Sequence, residues 1–153
     1  MGPSSDTKNT ASVERVIKAT PEAIFALIAD PSRHHEIDGS GTVRDAKNLP
    51  SEVKLGSKFG MSMKLGVPYS TVNTVVEYEP GRRVAWQTHP ALVGRFAGGR
   101  IWRYELEPVD GGTLVRETWD ISQEHGKAMV RPARSKTIDA MTKTLERIEQ
   151  ILS

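Results

Sequence analysis

Residues 43–121 and residues 133–152 of this chain keep two different hydrophobic rhythms, and together these leave few folds open. In the first stretch, apolar side chains recur at every second position in short runs bounded by turn residues. In the second they recur at steps of three and four. A strand turns successive side chains to opposite faces, whereas a helix brings every third or fourth to one side. Phe59, Met61, Met63 and Leu65 alternate with Gly60, Ser62 and Lys64, the pattern of a half-buried strand. Runs of the same kind are read at 43–49, at 70–78 (Val72, Val76 and Tyr78 in phase) and at 84–88 (Val84, Trp86, Thr88). Two more follow at 100–107 (Trp102, Tyr104, Leu106) and, after the Asp110-Gly111-Gly112 turn, at 113–121 (Val115, Trp119, Ile121). From 133 to 152, Ile138, Met141, Leu145, Ile148 and Leu152 form one stripe, with Lys143, Glu146, Arg147 and Glu149 between them. A helix of that length spans about 30 Å, and the concave face of a meandering sheet is the surface large enough to bury its stripe.

The segment before the meander completes the plan. Val13, Val16 and Ile17 indicate a first strand within 11–19. Thr20-Pro21-Glu22 then starts a helix, with threonine at the N-cap, proline at the first helical position and an acid in the first turn. Ile24, Phe25, Leu27 and Ile28 give it one buried face, and Asp30-Pro31 stops it. A second short helix over 32–37 closes at Gly39-Ser40-Gly41. Residues 1–10 lack periodicity and read as a flexible tail. The expectation is one α+β domain over 11–153. A curved antiparallel sheet of about seven strands wraps around a long C-terminal helix, with two short helices after strand 1.

A chain of 153 residues suits one hydrophobic core. The formal charge is only +2 and the basic residues are dispersed, which argues against a nucleic-acid partner. No apolar stretch approaches the roughly 20 residues of a membrane span. The absence of cysteine excludes disulfides and cysteine-based zinc sites. The polar N-terminus shows no signal-peptide core, so a cytoplasmic location is expected.

Two stretches, ATPEAIFALIADPSRHHEIDGSG at 19–41 and RYELEPVDGGTLVRETWD at 103–120, resemble the START-like superfamily, more narrowly its polyketide cyclase/dehydrase-like (SRPBCC) branch. The resemblance implies a helix-grip fold with a cavity between sheet and long helix that holds lipids, polyketides or other hydrophobic molecules. The superfamily mixes enzymes with carriers, and no catalytic motif of one enzyme subfamily carries over.

The candidate site follows from strand phase. Glu117 shares a face with Val115, Trp119 and Ile121, where desolvation would raise its pKa and suit it to general acid or base chemistry. Against this stand an ion pair with Arg15 or Arg100 and a slipped register. Trp86, Trp102, Tyr104 and Trp119, with Met61, Met63, Met141 and Leu145, suit the lining of an apolar pocket, though equally an ordinary core. Arg100, in phase with Trp102, is placed to hold a carboxylate or phosphate head group, or else lies in solvent. His34, His35 and Asp38 offer too few ligands for a metal and read as a solvated helix end. No cofactor is expected. The stretch 88–99 carries Leu92, Val93 and Phe96 and reads as a lid, a packed loop or a dimer contact.

The reading is therefore a module that sequesters or transfers a small hydrophobic ligand, as a monomer or homodimer. Its rivals are a cyclase, dehydratase or hydrolase using Glu117, and a regulatory protein-interaction module.

Overall fold

A computed structural model describes residues 9–47, 53–65 and 67–153. Seven strands form one sheet in the order β1-β7-β6-β5-β4-β3-β2, every neighbouring pair antiparallel. They are β1 (Thr10–Ile17), β2 (Val43–Lys47), β3 (Lys58–Leu65), β4 (Val67–Glu79), β5 (Arg83–Pro90), β6 (Arg100–Val109) and β7 (Gly112–Asp120). Between β1 and β2 the chain makes α1 (Pro21–Ile28), a 3-10 turn and α2 (His34–Ile37). After β7 come α3 (Lys127–Val130), another 3-10 turn and α4 (Arg134–Leu152). The sheet curls into a half-barrel around α4, the helix-grip α+β arrangement. Residues 1–8 of the expected tail and residues 48–49 of the expected second strand lie outside the described residues.

Local chemistry accounts for the helix starts. The Thr20 hydroxyl accepts the amide of Ala23 at 3.2 Å, and Pro21 opens α1 with no donor to satisfy. Asp30 caps the following turn by accepting the amide of Ser32 at 3.0 Å.

One face of the sheet carries charge and the other carries the core. On the outer face Arg103 holds Glu77 at 2.7 Å and reaches Asp120, while Arg83 pairs with Glu105 and Arg116 with Glu14. Such pairs contribute little individually, but they leave the inner face as the apolar one. Ile17, Phe59, Met61, Val84, Leu106 and Val115 meet Ile24, Leu27 and Ile28 of α1 and Leu145 and Ile148 of α4 there. At the turn before β7, a side chain on Gly112 would collide with the Ile17 carbonyl, so glycine lets the β6–β7 hairpin close onto the end of β1.

The phase of β4 departs from the expected one. Thr71, Asn73 and Val75 face inward in place of Val72 and Val76. A bulge between Val75 and Glu77 then inserts a residue and returns Tyr78 to the inner side, where its ring meets Phe25 at 5.6 Å. Among the described residues no helix is long and apolar enough to cross a membrane.

Candidate functional site

The sheet register sets the geometry of the inner face. Glu117 on β7 lies opposite Tyr104 on β6, and Trp119 opposite Trp102; Trp86 on β5 also faces Trp102. All are inward positions of neighbouring strands, so β5, β6 and β7 bring the aromatic side chains and the carboxyl together.

Glu117 is only 4% exposed, and among the described residues no arginine pairs with it. Arg15 holds Glu149 of α4 at 2.8 Å, and Arg100 approaches Glu124 at 3.5 Å. Both expected ion-pair alternatives are thereby replaced by another partner. The Tyr104 hydroxyl donates to the carboxyl, but among the described residues Oε1 has no partner. Burial, opposed by the tyrosine bond and reinforced by the charge of Asp38, pushes the Glu117 pKa up to about 8. Burial together with the Glu117 charge holds the Tyr104 hydroxyl well above its ordinary value, so it remains a donor. At neutral pH Glu117 is accordingly a protonated acid, with one oxygen accepting from tyrosine and the other unengaged. Two residues further along the same face, the Trp119 indole Nε1 is also buried, with no partner among the described residues.

The other named residues fall into two packed groups. Met61, Tyr104 and Leu145 belong to the main core, with Met63 and Trp86 packed against it. Trp119 and Met141 pack with Ala11 and Ile121, and Trp102 lies against them. Arg100 stands apart at the strand end, its guanidinium already turned to a buried carboxylate. A head-group role for Arg100 would have to compete with Glu124.

Strand periodicity misses His34. It does not sit in solvent: it is buried, its ring stacks on Trp86 at 4.8 Å, and it stands edge-on to Phe59 at 5.9 Å. The signal was Ile37, three residues on and so on the same helical face. Nε2 lies 2.7 Å from the Ile28 carbonyl, which can only accept, so Nε2 carries the proton. The aromatic row Phe59, His34, Trp86 and Tyr104 ends at Glu117. Asp38 is occupied as a cap, accepting from the amides of Ser40 and Val43. Among the described residues no group of three His, Asp or Glu is placed to hold a metal.

Beside this row lies a cleft of about 170 Å³ of empty space, walled by Ile28, Pro31, His34, Phe59, Val84 and Trp86 among others, too narrow to admit a water molecule. Fully buried Trp119, Met141, Leu145 and Ile148 occupy the space beneath α4. In this structure the grip is closed on its own side chains.

Burial lowers the His34 pKa, partly opposed by the Ile28 bond. A depressed value means that stability from neutral His34 is present above the unfolded pKa of about 6.5 and is lost as pH falls below it. The thermal midpoint of the wild-type protein is expected to fall more between pH 7 and pH 5 than that of His34→Gln. Equal falls would show that His34 titrates as a solvated side chain.

The family described as polyketide cyclase / dehydrase and lipid transport matches residues 8–152. The uncharacterised protein Rv0088 of Mycobacterium tuberculosis is 43% identical over 105 residues, 67% of this chain but 43% of that protein. The chain thus spans less than half the length of the curated relatives it matches. A crystal structure from Chromobacterium violaceum superposes with a TM-score of 0.71 at 16% identity, covering 95% of this chain and 98% of the other. The polyketide-cyclase-like protein of Corynebacterium glutamicum superposes with a TM-score of 0.60 at 22% identity, covering 94% and 90%. The structural likenesses carry the fold alone. With the inner face, the gripped helix and the match over nearly its whole length, the chain belongs to the polyketide cyclase/dehydrase and lipid transport family of the START-like (SRPBCC) superfamily.

Proposed function

We propose that residues 11–153 act as one domain that binds a small hydrophobic molecule carrying a polar group, seated between the sheet and α4. The observation that carries this reading is the buried Glu117 carboxyl with its unpartnered Oε1. A polar atom left unmatched inside a core costs about 1–3 kcal/mol, and a ligand acceptor reaching it would remove that cost. Met61, Met63, Trp86, Trp102, Tyr104, Trp119, Met141 and Leu145 supply the apolar surface, and Arg100 stands at its end. Because the grip is closed, entry requires side chains such as Trp86 and the flexible methionines to move aside. We place the protein in the cytoplasm, as a monomer or homodimer without a nucleic-acid partner.

A second reading is favoured by the same carboxyl. An unpaired, protonated Glu117 is a competent general acid for dehydration or cyclisation of a bound molecule, since its pKa of about 8 lies near neutral pH. No other side chain is assigned as its base.

Native mass spectrometry of the purified protein, followed by denaturing extraction, tests the first reading. A specific co-purifying hydrophobic molecule is expected. An empty protein that also takes up no apolar fluorescent probe overturns the reading in favour of an interaction module. If a ligand is found, Glu117→Gln separates carrier from enzyme: a carrier retains affinity within about tenfold and shows no turnover, whereas an enzyme loses product formation.

A further inference from the structure

Exposed apolar side chains are unevenly placed. Of the nine large ones exposed among the described residues, six (Val67, Tyr69, Leu92, Val93, Phe96 and Met129) come from the β3–β4 turn, the 91–99 loop and α3. The backbone joins these three segments at one end of the sheet. The Ala91 amide donates to the Ser70 carbonyl at 3.0 Å, and the His125 amide to the Gly98 carbonyl at 2.8 Å. Leu92 is 97% exposed, Met129 86%, Phe96 77% and Val67 70%, while the loop is anchored behind them through the Ala97 carbonyl, 2.8 Å from His89 Nδ1.

Charge at this end is equally one-sided. The stretches 61–70, 91–100 and 120–136 contain seven lysines and arginines against two acids, Asp120, which lies beside Arg103, and Glu124, although the whole chain is only +2. Glu124 is buried and faces Arg100. The adjoining 38–42 loop adds Asp38, whose carboxylate accepts from Ser40 and Val43. Lys64 and Lys136 are exposed.

We infer that this end of the sheet is a docking surface for an anionic lipid membrane, with Leu92, Phe96, Met129 and Val67 entering the headgroup boundary and the surrounding lysines and arginines meeting the lipid charges. Neither half suffices alone, because a few shallow apolar contacts give only marginal binding and stable attachment takes a second, electrostatic signal. A second copy of this chain is disfavoured as occupant, since two strongly positive ends would face each other across a two-fold axis. The inference is independent of what the inner face binds: an empty grip would leave this surface unchanged.

The test is flotation of the whole protein with vesicles of phosphatidylcholine alone, and with about 30% phosphatidylglycerol added. Binding is expected to the anionic vesicles, at least about tenfold stronger than to neutral ones and largely lost in about 0.5 M salt. The paired variants Leu92→Ser/Met129→Ser and Lys64→Glu/Lys136→Glu, both at exposed positions, are each expected to weaken it about tenfold or more. Circular dichroism should find both folded. Failure of the wild type to float with anionic vesicles overturns the inference. So does binding that the Leu92/Met129 pair leaves unchanged, which would reduce the effect to diffuse basicity. Dimerisation abolished by that same pair would instead make a second copy the occupant.

Discussion

Gly39→Ala is expected to lower the thermal midpoint by roughly 5–10 °C, corresponding to about 2–4 kcal/mol at 2–4 °C per kcal/mol for a domain of this size. Gly39 lies where the loop after α2 presses on the middle of α4. A methyl there would run into the Ala140 carbonyl and stand 2.7 Å from Lys143 Cβ and 2.8 Å from the Thr144 amide. Two of these are helix backbone and cannot swing away. The contact is also bonded: the Gly39 amide donates to the Thr144 hydroxyl at 2.9 Å, and Arg147 donates to the Asp38 carbonyl. Relief therefore means lifting the loop, breaking both bonds, or shifting α4 over Leu145 and Ile148, and forced overpacking of this kind is costly. Since α2 also carries His34, lifting it would disturb the stack on Trp86 and the wall of the cleft. Gly126→Ala is the control. Its added carbon would meet nothing closer than Met129 Cβ at 4.0 Å, and its midpoint should stay within about 2 °C. Equal behaviour of the two variants would mean that the loop does not clamp the helix.

Much of this fold was legible because hydrophobic period is a local property. The α4 stripe of Met141, Leu145 and Ile148 and the β3 alternation were readable without knowing any partner. So was the common face of Val115, Glu117 and Trp119. What failed depended on events outside the period. The β4 bulge shifts the inward set from Val72 and Val76 to Thr71, Asn73 and Val75, and no local residue announces it. Asn73 is tolerable inside because its amide donates to Thr71 on its own strand and to the Phe59 carbonyl, while its side-chain oxygen accepts from Thr88 at 2.7 Å; Phe59 and Thr88 are partners that only the sheet register supplies. His34 reads as a solvated end because α2 has a single turn, in which Ile37 alone marks the buried face. The partners of Arg15 and Arg100 lie at Glu149 and Glu124, on segments that the sheet topology alone brings near. The position of Glu117 on the inner face was readable; that no arginine among the described residues reaches it was not.

The largest effect should come from Glu117→Gln, and it should depend on pH. In the unfolded chain Glu117 titrates near 4.5, and in the folded protein near 8. A pKa raised on folding means that the folded state holds the proton more tightly. The contribution of protonated Glu117 is therefore fully present below about pH 4.5, declines on the order of one kcal/mol per pH unit above it, and is exhausted once the folded carboxyl ionises past about pH 8. Glutamine keeps the shape and an oxygen to accept from Tyr104, yet never ionises. The two proteins should have nearly equal stability at pH 4.5–5, and by pH 9 the variant should be the more stable by about 3–5 kcal/mol. Chemical denaturation at several pH values measures the difference directly, because titrations of other groups are common to both proteins and cancel. A gap that stays flat from pH 5 to pH 9 would show that water reaches the carboxyl and that its pKa is ordinary. It would also remove the reason to regard Oε1 as an unmet bond, since a hydrated carboxylate has no need of a ligand. A widening gap would locate, without any ligand in hand, a proton that the fold keeps at neutral pH on an acid facing the gripped helix.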